Sequence, residues 1–116
     1  MRLKIAALPS AIEMATSDVV PPLRGALAGG GFVWYPTFGL GFLTGATTTD
    51  QEMAAAIRTA RRSLALTIEA APIAVRQLAN SWGEPPPGAA LPLMRAMKQR
   101  FDPARRLSPG RFVGGI

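Results

Sequence analysis

Neither histidine nor cysteine occurs among the 116 residues, and this absence decides which chemistry is left. Without imidazole, the commonest general base and metal ligand is missing. Without thiol, there is no disulfide, no thiolate ligand and no sulfur nucleophile. Ser63 and Ser108 have no histidine to activate them, so a serine triad is excluded. The seven carboxylates are scattered, with no pair at a spacing that fixes an acid–base couple. No Gly-Lys-Ser/Thr of a phosphate-binding loop is present, and Gly29, Gly30 and Gly31 do not follow the dinucleotide fingerprint. Those glycines read as a hinge or a close backbone approach. No residue is therefore assigned a catalytic or metal-binding role.

The chemistry that remains is concentrated at the end. Arg95, Lys98, Arg100, Arg105, Arg106 and Arg111 face the single acid Asp102, so this stretch carries +5 of the chain's net +6. Such a segment suits a nucleic acid, an anionic membrane, a cofactor phosphate or an acidic protein, and equally a solvated helix face. Within it, Asp102 can cap or turn the chain at a helix end and Pro103 forbids helix continuation. Pro109 and Gly110 form a turn that lets Arg111 reach a neighbouring surface.

The elements that must position this segment follow from periodicity and punctuation. Arg2 to Leu8 alternates, with Leu3 and Ile5 on one side and Arg2 and Lys4 on the other, which predicts a half-buried strand. Ser10 and Glu13 form a capping-box pattern for a short helix to about Thr16, and Pro21 and Pro22 are expected to end any helix. Gly31 to Phe38 and Leu40 to Thr44 read as a strand pair around Gly39 and Gly41, with Pro36 demoting the first strand toward a sheet edge or an irregular end. Trp34 and Tyr35 read as sheet residues rather than ligand-stacking groups. Thr49 and Glu52 cap a helix from Asp50 to about Leu64, with Met53, Ile57, Ala60 and Leu64 on one face. Leu64 to Glu69 alternates again, although no clear turn residue precedes Leu66. Pro72 opens a helix with Val75, Leu78, Ala79 and Trp82 on its stripe, ended by Gly83. After a proline-rich connector, Glu84 to Gly88, a last helix runs from about Leu91 to Arg100, and the tail from Ala104 is expected to be extended. Ala26 to Thr49 is uncharged, but its six glycines and Pro36 argue against a membrane-spanning helix.

This order predicts an α+β fold: a ferredoxin-like βαββαβ antiparallel sheet with helices on one face, plus a C-terminal helix and tail. The expected organisation is a domain over residues 1–83 and a connector, helix and tail over 84–116.

The closing segment, LMRAMKQRFDPARRLSPGRFVGGI, resembles the terminal signature of FAD-linked oxidases: a helix, Phe/Leu-Asp-Pro, a spacer, then Asn-Pro-Gly-Arg/Lys. Ser108 stands where that family usually has Asn. Three further segments are similar to the family. Leu3 to Ser10 is a strand ending in Pro-Ser before a helix. Gly29 to Trp34 resembles the Gly-Gly-x-x-Trp strand of the glycolate oxidase FAD-binding subunit. Leu64 to Arg76 resembles a strand ending in Ala-Pro before an arginine-bearing helix, with Ser63 and Leu64 replacing the family's Gly-Gly. The resemblance implies the C-terminal, cap-type portion of an FAD-dependent oxidoreductase acting on a small 2-hydroxy acid. It implies FAD as the parent protein's cofactor, held by an N-terminal flavin-binding domain whose glycine-rich loops do not occur here, so the chain is not expected to be catalytic alone. It implies Ser108, Pro109, Gly110 and Arg111 as contacts to that domain, with other glycolate oxidase subunits as further partners. Nucleic acid is not among them, and no transmembrane segment is expected. The setting would be cytoplasmic, with any membrane association made through partner subunits. The rival expectation is a free-standing ferredoxin-like module that offers a basic face to nucleic acid or an acidic protein.

Overall fold

The computed structural model describes residues 1–85 and 88–116. Pro86 and Pro87, in the proline-rich connector, lie outside the described residues. The chain divides into two compact units, Met1–Gly83 and Glu84–Ile116.

In the first unit, strand β1 spans Arg2–Ala6 and buries Leu3 and Ile5 completely while Arg2 stays exposed. A composite helix, α1, covers residues 9–25. It has a 3-10 turn at Pro9–Ala11, an α turn at Ile12–Met14, a π segment at Ala15–Val19 and an α segment at Val20–Gly25. This corrects the expectation of a helix ending near Thr16 before the two prolines. Pro21 and Pro22 fall in the first turn of the last α segment, where a missing N–H costs little. The preceding π segment absorbs the change in hydrogen-bond register. Buried Val19, Val20 and Leu23 supply the reason for the helix to continue. The expected Ser10 cap does not form; Leu8 is the first cap residue and makes no side-chain cap bond.

Strands β2 (Leu27–Ala28) and β5 (Ala46–Thr47) form a small separate ribbon. Between them, β3 (Phe32–Tyr35) and β4 (Leu40–Thr44) form the expected antiparallel pair. A 3-10 turn at Pro36–Phe38 joins them and ends at Gly39, whose φ of 61° lies in the left-handed region. Helix α2 (Asp50–Ala60) buries Met53, Ala54, Ile57 and Ala60. The Thr49 hydroxyl bonds Glu52 rather than a backbone amide, so this capping pair works side chain to side chain.

The turn into β6 (Ala65–Ala70) lacks a turn residue, and Arg61 supplies the missing order. Its Nε donates to the Leu66 carbonyl at 3.0 Å and its Nη2 to the Ser81 carbonyl at 3.1 Å. Helix α3 (Ile73–Leu78) is shorter than expected. Val75 and Ala79 are buried, but Leu78 and Trp82 are 47% and 45% exposed, so the expected stripe is only half used.

The sheet order is β3-β4-β1-β6, and each neighbouring pair is antiparallel. This is the ferredoxin-like layout. β3 is an edge strand, and Pro36 opens the 3-10 turn that ends it. The registers Leu3↔Leu43, Leu3↔Ile68 and Ile5↔Leu66 place these apolar side chains on one face. There they share a core with Val19, Val20 and Leu23 of α1 and Met53 and Ile57 of α2. The opposite face carries no helix from this unit's core. In the second unit, α4 (Ala90–Phe101) buries none of its residues. The tail beyond it is a series of turns ending in a 3-10 turn at Val113–Gly115, which corrects the expectation of an extended tail.

Leu3→Ala is expected to lower stability by about 2–5 kcal/mol through lost burial and a residual cavity. Phe38→Ala, at a side chain 75% exposed, should change it by less than about 0.5 kcal/mol. Urea denaturation of both variants checks the contrast.

Candidate functional site

Two surfaces could do work, one in each unit. The first is the open face of the sheet. Because side chains alternate along strands, Arg2 and Lys4 of β1, Val33 and Tyr35 of β3, and Leu40, Phe42 and Thr44 of β4 project away from the core face. Val33 is 52% exposed and Tyr35 is 48% exposed. The Tyr35 and Phe42 rings meet edge to face with centroids 6.0 Å apart. The Arg2 guanidinium lies 4.8 Å from the Phe42 ring centre, within cation–π range, and its Nε pairs with Glu69 at 2.9 Å. With Phe38 at the rim, Arg2, Val33, Tyr35, Leu40, Phe42 and Thr44 line a shallow depression of about 400 Å³. An aromatic floor with a fixed cation at one end can cover a planar ring system or an apolar protein surface.

The reverse side explains why this face is shaped as it is. Phe32 and Trp34 point to the core side and cover Gly41, where a Cβ would sit 2.7 Å from the Trp34 ring and 2.9 Å from the Phe32 ring. The lack of a side chain at Gly41 lets both rings lie down on the sheet. The Trp34 indole N–H is buried among the described residues without a hydrogen-bond partner. Of the aromatic residues singled out in the sequence, Tyr35 and Phe38 are therefore exposed and Trp34 is not.

The second surface is the α4 tail, and it is organised by Asp102. This carboxylate is 6% exposed. Its Oδ1 accepts the Arg106 backbone N–H at 2.7 Å, and its Oδ2 accepts that of Leu107 at 2.9 Å. Lys98, one helical turn earlier, pairs with Oδ2 at 2.6 Å and also donates to the Leu107 carbonyl. The Lys98 hydrogen bond is the largest influence on Asp102. Burial opposes it, but with the two backbone N–H groups it lowers the Asp102 pKa from 3.8 to about 2. Arg95 donates to the Gly114 carbonyl at 3.3 Å, which returns the tail to α4. A half-open cleft of about 430 Å³ lies between them, lined by Arg95, Lys98, Asp102 and Arg105 among others.

Asp102 directs the chain into the segment that the sequence marks. The Arg111 N–H donates to the Ser108 carbonyl at 3.3 Å, closing a four-residue turn. Pro109 occupies its second position, and Gly110 takes φ 69° at its third, as a type II turn demands. Ser108 itself has φ 46°, a left-handed conformation that serine adopts at a cost and asparagine tolerates better. Ser108, Pro109, Gly110 and Arg111 are all exposed. They thus form one ordered, outward-facing turn. Sequence reasoning missed Arg61, Phe42 and the Lys98–Asp102 pair; for the last, the i,i+4 spacing of Lys98 and Asp102 was the available signal.

A scan against protein-family models, a search of the curated proteins and a search of the solved structures found no match to this chain. Among the described residues, no helix is long and apolar enough to cross a membrane.

Two outcomes follow from the tail geometry. Ser108→Asn is expected to stabilise it by up to about 1 kcal/mol by relieving the left-handed strain, read as a higher urea midpoint at the α4 and tail amides. A folded pKa below the unfolded value means that the Asp102 contribution is complete above about pH 4 and is lost as the pH falls through about 2. The Arg106 and Leu107 amide shifts should titrate with a midpoint near 2; a midpoint at the ordinary carboxylate value would contradict the capping role.

Proposed function

We propose that this chain is the C-terminal, cap-type portion of an FAD-linked oxidoreductase acting on a small 2-hydroxy acid such as glycolate, similar to the FAD-binding subunit of glycolate oxidase. The observation that carries the reading is the backbone at Ser108. The terminal signature of FAD-linked oxidases has asparagine at this place, before Pro-Gly-Arg/Lys. Here the position has φ 46°, a conformation for which asparagine is among the favoured side chains. The resemblance and the local geometry thus point to the same turn by separate routes.

The open sheet face supports the same reading. A family cap packs one face against its flavin domain, and this sheet leaves Val33, Tyr35 and Phe38 exposed beside Phe42. The residues present do not fit a flavin-holding role of their own. Gly29–Gly31 lead into strand β3 rather than into a helix N-terminus, so no phosphate cradle is formed there. In this reading the chain covers a flavin that another domain holds. Its residues exclude water and fix the interface, and none of them moves a proton. Ser108, Pro109, Gly110 and Arg111 would contact the flavin domain, with the Arg111 guanidinium meeting a carboxylate or phosphate there.

One observation favours the rival reading of a ferredoxin-like binding module. Arg2 and Lys4 share the open face with Tyr35 and Phe42, a basic and aromatic combination that single-stranded nucleic acid can use. The Arg2–Glu69 pair weakens it by neutralising one of the two cations.

The test is to purify the chain alone with added FAD, and then co-expressed with the coding region immediately upstream. The chain alone should emerge colourless after desalting. The co-expressed complex should be yellow and bleach on addition of glycolate or another 2-hydroxy acid. Stoichiometric flavin on the isolated chain, or salt-sensitive binding of a single-stranded oligonucleotide with no flavin in either preparation, would overturn the proposal.

A further inference from the structure

Helix α4 presents a surface that the cap reading does not use. Leu93, Met97 and Phe101 recur every four residues and form one stripe along the 12-residue helix. They are 63%, 53% and 73% exposed. The tail does not cover them, because it is held on a different side of α4 by Leu91, Arg95 and Lys98. Leu91 lies so close to Gly114 that a Cβ there would sit 2.6 Å from its Cδ1, Arg95 bonds the Gly114 carbonyl, and Lys98 bonds the Leu107 carbonyl and Asp102. The tail adds two more exposed apolar side chains, Leu107 and Phe112, at 66% and 45%.

The exposed charges on α4 and the tail have one sign, and Arg100 lies next to the stripe on the helix. Arg100, Arg105 and Arg106 are exposed. α4 contains no acidic residue, and Asp102, the only acid between Arg95 and Ile116, is buried against Lys98 and two backbone amides. An acidic protein groove would have to match both the stripe and the arginines in shape. A bilayer surface needs no matching groove: the acyl boundary takes the apolar stripe and anionic headgroups take the guanidinium groups. We propose that α4 and its tail form a peripheral binding surface for anionic lipid, with Leu93, Met97 and Phe101 inserted and Arg100 and Arg106 at the headgroups. The inference stands independently of any flavin chemistry.

Co-sedimentation of the full chain with vesicles tests it. The probes are phosphatidylcholine alone, and phosphatidylcholine with an equal part of phosphatidylglycerol. Each basic residue near an anionic surface contributes about 1 kcal/mol, so two arginines should favour the anionic vesicles by on the order of 30-fold at low salt. Raising the salt should erode this preference. The exposed double variant Leu93→Ser/Phe101→Ser should keep its circular dichroism and lose at least about tenfold in affinity, the loss expected from removing two buried apolar contacts. Arg100→Ala/Arg106→Ala should lose the headgroup preference. No binding to anionic vesicles by folded protein would overturn the proposal. So would equal binding by the Ser variant, or retention on immobilised polyglutamate with no vesicle binding, which would assign the surface to an acidic protein.

Discussion

Strand β1 is the element that joins the four-stranded sheet of the first unit. The β3–β4 hairpin and β6 are separated in sequence by a helix, and they meet only because each bonds to one side of β1. Leu3 and Ile5 point into the core and have no exposed surface. A slip of one residue would exchange them for Arg2 and Lys4, burying two cations under α1 and α2. That cost fixes the register. It also fixes which face remains open, because two crossovers of the same hand lay both helices on one side of the sheet.

Asp102 has the corresponding role in the second unit, where burial contributes little. With no buried residue in α4, order comes from a few directed bonds: a carboxylate that accepts two amides and a lysine, and an arginine that holds the end of the tail. A segment this basic would otherwise be repelled into solvent. Pairing the one acid with Lys98 uses it to shape the backbone and leaves Arg100, Arg105 and Arg106 exposed. The ordered turn from Ser108 to Arg111 is a consequence of that arrangement.

The strands were the most legible elements, because period-two alternation at Leu3/Ile5 and Leu66/Ile68 reports burial on one face directly. Pro36 marked β3 as an edge strand or one with an irregular end; β3 lies at the edge and gives way to a 3-10 turn at Pro36. The helices were harder. Pro21 and Pro22 look like a stop, but tertiary burial of Val19, Val20 and Leu23 carried α1 past them through a π segment. The end of α2 could not be placed because Arg61 does with a long side chain what a turn residue usually does locally. In the candidate sites, the Pro109–Gly110 turn was visible from residue types alone. The left-handed state of Ser108 was not, since serine gives no signal for it. Tyr35 and Phe42 lie on different strands, so their meeting on the open face depended on the register.

A sheet with one covered face leaves its other face as a platform, and a backbone bond holds the turn from Ser108 to Arg111. Under the proposed function, a flavin-bearing domain would cover the open sheet face. Hydroxyl-radical footprinting of the chain alone and in complex with the flavin-bearing polypeptide tests it most directly, with Trp82 on the segment after α3 as an internal reference. The account predicts that oxidation of Tyr35 and Phe38 falls sharply in the complex while that of Trp82 is unchanged. Equal oxidation of Tyr35 and Phe38 in a complex that has demonstrably formed would contradict it.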